Sequence, residues 1–435
     1  MSIADSIDRF FHVTERGSTI GTEAKGALLI FLSLSYILVV NPLMMTDAGM
    51  DRDAAFTATI LISIFGCILM GIYANYPVAM APAMGINAFF VYNVVVVMGY
   101  TWQAALAAVF LSGLVFFVLS VSGIRRIVID AIPRPLRFGI AAGIGCFITF
   151  IGLANAGIVV SNPSTLVALG DMSDPGVLLA LFCLCLTFLL YARKVPGAIF
   201  IGMAVTAVIG VVIGCIALPE SVVSSPAVPD FGAFLDGFSS DMLSAEFVMI
   251  IISFVFVEFF DSSGTLLAVG QRAGFDDISA GRALTADAAT ASISGIVGCT
   301  PASAFAESTV GVEAGSRTGL TAVFVAALFA LALFLGPVFQ IIDYRCTVAA
   351  MFLVGVAMIS ELRHVEWDDF PQTAAVLSTI LIMLLTYSIT DGIAFGLILY
   401  SVCMIGAGRH REVSPVLYLV ALVSLAYFIA MAFGL

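Results

Sequence analysis

From residue 25 to its last residue the chain is a succession of apolar runs, many long enough to cross a bilayer as helix, joined by short loops. In hydrocarbon no water satisfies a peptide group, so such runs must fold as helices, or as broken helices whose open backbone is covered by protein. Composition agrees: 61% of the residues are hydrophobic and 11% charged, with a mean hydropathy of +1.13, against roughly 45–50% apolar residues in soluble domains. The expected class is an all-α polytopic protein with the lipid bilayer as its surroundings. Candidate spans fall at 27–45, 54–74, 78–98, 102–121, 138–155, 177–191 and 197–218, then at 247–267, 286–297, 300–314, 321–335, 346–359, 374–389 and 392–405, with an apolar tail at 416–435.

Polar residues inside these runs are few, and they repeat. Asn41 and Asn87 stand 46 residues apart, as do Asp261 and Glu307, and each second member follows a proline, Pro82 or Pro301. That is the mark of an internal duplication. An odd number of spans per half makes the second half enter the membrane in the opposite sense, so the two sets form an inverted repeat. The basic residues fit that count. Arg9, Arg16, Lys25, Arg193, Lys194, Arg272, Arg317 and Arg409 share one side with the segment IRRIVIDAIPRPLR at 124–137, whereas the other side carries Arg52 and Arg345 and is rich in acids. The N-terminus is therefore expected in the cytoplasm, with 124–137 as an amphipathic stretch at that interface.

Several classes of function are excluded on the same page. The opening MSIADSIDRFFHVTERGST lacks the basic-then-apolar design of a cleaved signal and reads as an interfacial lead-in. A net charge of −12 argues against nucleic acid as a partner. The eight cysteines are scattered singly, without the spacing of a zinc site or a disulfide framework, and read as packing residues. His12, His364 and His410 lie in charged loops or ends, so any proton relay inside the membrane must use carboxylates.

The third and tenth spans, MAPAMGINAFF and CTPASAFAESTVGVEAG, crowd Pro, Gly, Ala and Ser at span depth. Each is expected to run extended for several residues and then turn into a half-helix, with the two positive helix ends facing one pocket. Glu258 and Asp261, three apart in FVFVEFFDSSGTLL, share a helical face. A charged carboxylate at the bilayer centre costs about 2.5–3.5 kcal/mol on insertion scales, which makes such a residue a functional candidate by default. Pairing of Glu258 with a neighbouring helix is the alternative reading of that residue. Asn41 precedes Pro42 and either reads a polar ligand or satisfies carbonyls freed by the proline. Asp287 is expected to open the ninth span and cap it, and Gly139 and Gly143, four apart, to allow close helix packing.

In order along the chain, DRFFHVTERGSTIGTEAKGA, SYILVVNP in the first span, APAMGINAFF in the third, FFDSSGTL in the eighth and AESTVGVEAGSRTGLTA in the tenth carry a resemblance that runs nearly end to end. The chain resembles the nucleobase-ascorbate transporter superfamily, and within it the AzgA-like branch of adenine, guanine and hypoxanthine permeases. The resemblance implies seven plus seven inverted spans split into a core and a gate domain, with substrate held between the third and tenth spans. It divides the chain into a lead-in (1–24), core halves at 25–123 and 246–336, gate halves at 124–220 and 337–406, an external loop at 221–245 and the apolar segment 407–435. The family's eighth-span acid falls on Asp261, its tenth-span acid on Glu307 and its third-span Asn on Asn87. The branch usually has Asp where this chain has Glu258, so Glu258, Asp261 and Glu307 are the candidates for proton coupling. The expected substrate pocket also takes in Ala88, Phe89, Phe259, Phe305, Ala306, Ser308 and Thr309, with Asn41, Ser262 and Thr265 as supporting polar groups. A homodimer through the gate helices is implied as well.

These readings converge on a purine nucleobase:proton symporter of the plasma membrane, with no metal or organic cofactor and no catalytic role. A sulfate- or bicarbonate-type anion carrier of the same architecture is the alternative, and two buried acids argue against it, because such a site should use helix dipoles and a cation. An intramembrane aspartyl protease is a more distant one. Glu307 is not Asp, and no second Asp stands in a glycine-flanked motif.

Overall fold

The computed structural model describes residues 3–122, 133–219, 221–238, 244–275 and 277–433. Most of the basic stretch at 124–137 lies outside the described residues, as do the side chains of Phe259 and Asp261. Spans 1 to 7 are Ile20–Asp47, Arg52–Ile72, a broken third, Trp102–Ser122, Arg134–Asn155, Pro175–Ala192 and Ala198–Val212. Spans 8 to 14 are Ala245–Ala273, Asp277–Val297, a broken tenth, Leu320–Gln340, Tyr344–His364, Phe370–Thr386 and Ile389–Gly406. The tail is helical over Pro415–Phe433 and packs on span 14. Short polar residues at the loop ends start these helices by accepting orphan N–H groups: Asp51 from Ala54, Asp174 from Gly176, Ser244 from Phe247, Asp343 from Arg345 and Ser388 from Asp391.

The fold is a seven-plus-seven inverted repeat, and the packing carries the symmetry. Span 2 packs on span 11 as span 9 packs on span 4; span 1 meets span 11 as span 8 meets span 4. Spans 5 and 12 face one another, span 5 meets span 13 as span 12 meets span 6, and spans 6 and 7 pair as 13 and 14 do. Two groups result, one of spans 1–4 and 8–11, the other of spans 5–7 and 12–14. Missing side chains set the closest approaches. A Cβ on Gly113 of span 4 would lie 2.5 Å from the Cα of Ser292, one on Gly145 of span 5 2.9 Å from the carbonyl of Gly355, and one on Gly143 2.5 Å from Met383 Sδ.

Both broken spans follow the expected course, with one addition. β1 (Met80–Pro82) leads into the half-helix Met84–Ala88, which continues as a π-helical stretch, Phe89–Val97. A short exposed hairpin, β2 (Val159–Asn162) with β3 (Leu166–Leu169), joins spans 5 and 6. β4 (Ala302–Ala304) precedes the half-helix Ser308–Glu313. β1 and β4 pair antiparallel, with Ala81 opposite Ser303, so the two breaks meet and satisfy part of each other's backbone at membrane depth.

Two expectations change. The ninth span begins at Asp277, ten residues earlier than Asp287, so Asp287 sits inside a helix and caps nothing. Its Oδ1 accepts the N–H of Ala304 at 2.9 Å and so holds the end of β4. An acid beside an apolar run imitates a start signal in sequence. Only the neighbouring break reveals which N–H it serves. The seventh span is shorter than 197–218, ending at Val212.

Candidate functional site

A cavity of about 950 Å³ lies between the two groups of spans. One wall is built from the breaks. Ala83, Met84 and Gly85 open the third-span half-helix, and Phe305, Ala306 and Glu307 lead into the tenth-span one, so the starts of both helices border the same space; in the tenth the N–H groups of Ser308, Thr309 and Val310 bond the carbonyls of Phe305, Ala306 and Glu307. Ser33 and Tyr36 of span 1 and Thr265 of span 8 complete that wall. The opposite wall is span 12, from Leu353 to Met358, with the 191–197 loop and the start of span 7. Exposed Tyr191 and Lys194 mark the mouth, on the same face as the N-terminus by the count of spans. Glu313 lines it too, and is held by Arg272 at 3.3 Å.

Glu307 stands at the head of the tenth-span half-helix on the cavity wall. It occupies the N-cap position of its half-helix without capping it, and Oε1 instead accepts the hydroxyl of Tyr36 at 2.9 Å. Phe305, buried and 6.5 Å from Tyr36 between ring centroids, supplies an aromatic edge. Ala306 is exposed to the cavity, and Thr309 lines it while its hydroxyl donates to Ala306 O at 2.8 Å.

Other sequence candidates stand behind the wall. Asn87 is fully buried, and neither its Oδ1 nor its Nδ2 has a hydrogen-bond partner among the described residues. Ala88 and Phe89 are buried, with Phe89 packed edge-on against Phe254 at 4.7 Å. The Ser308 hydroxyl accepts the N–H of Ala79 at 3.0 Å, beside β1. Ser262 and Ser303 join span 8 to β4 through hydroxyls 3.0 Å apart. Glu258 is buried in span 8; Asp261 and Phe259 lie in the same helix, with side chains outside the described set. Asn41 also stays away from the cavity. Its amide donates to Thr59 at 2.8 Å and accepts from Thr300 at 3.1 Å, so it ties spans 1 and 2 to the tenth-span break.

The structure adds residues that sequence reasoning passed over. Tyr36 is the foremost. It sits where span 1 breaks between the helices Ile20–Leu34 and Ile37–Asp47, and a hydroxyl among apolar neighbours at that depth requires a partner, which was the available signal. Cys67, read as packing, accepts the N–H of Met80 at 3.2 Å and so pins β1. Glu23 is buried and accepts from the N–H groups of Arg317 at 2.8 Å and Thr318 at 3.3 Å, and from the Thr321 hydroxyl, bringing the N-terminal motif onto the start of span 11. On the face away from the mouth, Asp47 Oδ2 accepts the hydroxyls of Tyr92 at 2.7 Å and Tyr344 at 2.5 Å, and Asn155 donates to Tyr92 at 2.8 Å. This network links spans 1 and 3 to spans 5 and 12 across the boundary between the groups.

An aromatic and carboxylate wall at paired helix breaks is an arrangement for a small polar, planar ligand. Residues 22–395 match the sequence profile of a permease family. The chain belongs to that family. Among its relatives is the guanine/hypoxanthine permease PbuG of Bacillus subtilis, 41% identical over 97% of this chain and 99% of that one. Another is the adenine permease AdeP of Escherichia coli, 39% identical over 96% and 94%. Among solved structures, the transmembrane domain of the cyanobacterial bicarbonate transporter BicA superposes with a TM-score of 0.67 over 86% of this chain and 97% of that one. At 15% identity that likeness is one of fold.

Proposed function

We propose that this permease imports purine nucleobases of the hypoxanthine, guanine and adenine type together with protons across the plasma membrane, with the N-terminus in the cytoplasm. The observation that carries the proposal is Glu307, a carboxylate on the cavity wall at the N-terminus of a half-helix, in a chain whose relatives of near-equal length are named for purines. A purine offers adjacent N–H donors and ring-nitrogen acceptors on a flat apolar body. Glu307 accepts the N–H groups, Phe305 covers part of the ring, and the first-turn N–H groups of the third-span half-helix meet the acceptors. Asp261, with Glu258 near it on the same helix, carries the proton, and Asn87 turns its unmatched amide toward the base as the pocket closes. Spans 1–4 and 8–11 act as the core and spans 5–7 and 12–14 as the gate, and movement of one group against the other exposes the site to each side in turn.

The test is uptake of labelled hypoxanthine by cells lacking their own purine permeases, with and without a protonophore and with excess adenine, guanine, xanthine, urate or sulfate. The proposal expects protonophore-sensitive uptake that purines compete and sulfate does not. Normal coupled uptake by Glu307→Gln and Asp261→Asn variants at wild-type abundance would overturn the residue assignment.

A further inference from the structure

We propose that Tyr36 is a positioning residue for the substrate carboxylate: its hydroxyl fixes the orientation of Glu307 in the cavity and thereby sets the affinity for the base. The inference rests on the purine reading above and deepens it. Three observations carry it. First, Glu307 stands at an N-cap position yet makes no capping bond with its side chain, so of its own helix end only its own N–H touches the carboxylate. Second, the Tyr36 hydroxyl donates to Oε1 of Glu307 at 2.9 Å, and Glu307 lines the cavity. Third, the ring of Tyr36 is itself held, only 1% exposed, at the break between the two helices of span 1 and tilted against Phe305. The donor therefore comes from a rigid element, and the flexible group is the glutamate.

The energetic logic is that of preorganisation. A free glutamate side chain samples several rotamers, and a base that must select one loses affinity in proportion. A charge-assisted bond from a fixed phenol removes that loss before substrate arrives. Tyr36 also couples span 1 to the tenth-span break, so the carboxylate keeps its place while the rest of the wall moves.

The experiment measures hypoxanthine uptake in cells and hypoxanthine-induced thermal stabilisation of purified protein for Tyr36→Phe, and runs a double-mutant cycle between Tyr36→Phe and Glu307→Ala on the melting temperature of the ligand-free protein, since a glutamine side chain would still accept the hydroxyl. Tyr36→Phe keeps the ring and its packing. The expected result is a rise in KM of about tenfold with Vmax changed little, a matching loss of ligand-induced stabilisation, and no further fall in melting temperature when Tyr36→Phe is added to Glu307→Ala. An unchanged KM and unchanged stabilisation in Tyr36→Phe would overturn the inference, as would the same fall in melting temperature on both backgrounds, which would mean that the hydroxyl acts independently of Glu307. The wild-type arm separates the two claims: wild type that takes up and binds no purine overturns the functional reading and this one with it, whereas normal wild-type uptake beside an unaffected Tyr36→Phe overturns only the role of Tyr36.

Discussion

Removing one hydroxyl on the face opposite the cavity mouth should release the closed side of the transporter. Hydrogen bonds of the Asp47 network cross between the two groups of spans, among them Tyr344 to Asp47 at 2.5 Å and Asn155 to Tyr92 at 2.8 Å. The first involves a charged acceptor, and such bonds contribute about 1.5–3 kcal/mol. Asp47 is exposed, so water competes for it and screens the charge, and the low end of that range applies. Tyr344→Phe therefore shifts the balance between the closed and open forms of that face by about 1.5 kcal/mol, or about tenfold. In the open form the same groups are hydrated, so the change falls on the closed form. Spin labels at Thr101, beside span 4, and Ser164, in the hairpin between spans 5 and 6, report the separation of the two groups on this face. In double electron–electron resonance the population at longer distance should grow about tenfold in Tyr344→Phe relative to wild type. An unchanged distance distribution, with Asp47→Asn equally silent, would refute the argument that this network holds the face shut.

Three further outcomes follow from the packing and the polar contacts. Asn87→Leu should leave thermal stability unchanged or raise it, because a buried amide without partners is replaced by an apolar side chain of similar size, while hypoxanthine binding weakens; a clear fall in melting temperature would contradict this. Glu23→Gln should lower stability by about 1.5–3 kcal/mol by losing charge-assisted bonds at the start of span 11, seen as a lower melting temperature of purified protein with little change in KM. Gly113→Val should place its β-carbon against the backbone of Ser292 and its methyl groups beyond, and cost about 1–3 kcal/mol of overpacking, seen as reduced membrane abundance that Gly113→Ala shows to a lesser degree.

How much was legible beforehand differs by residue. The breaks at Pro82 and Pro301 were plain in sequence because proline and small residues disfavour helix wherever they occur, and β1 and β4 formed there. The close approach at Gly143 was legible for the same reason, since a missing side chain acts locally. Asp287 was misread because its partner, the N–H of Ala304, belongs to another span. Ser308 was placed in the pocket by its neighbours in sequence, yet its hydroxyl holds Ala79 at β1. Tyr36 went unnoticed although it stands in the SYILVVNP motif, because the need of its hydroxyl for a partner does not name that partner, which lies 271 residues on.

The sequence by itself determined the class of protein, the number of spans, and the two places where the helices break. Each of these follows from the need of every peptide group to find a partner in lipid, and that need is met within a few residues of where it arises. The tertiary structure decided which polar groups meet. Tyr36 and Glu307 are 271 residues apart and come together through the inverted repeat, which sets span 1 beside span 10. Glu23 and Thr318 meet across 295 residues for the same reason. A side chain's partner depends on which spans the fold makes neighbours, and that choice is made by the packing of whole helices rather than by the residues next to it in the chain.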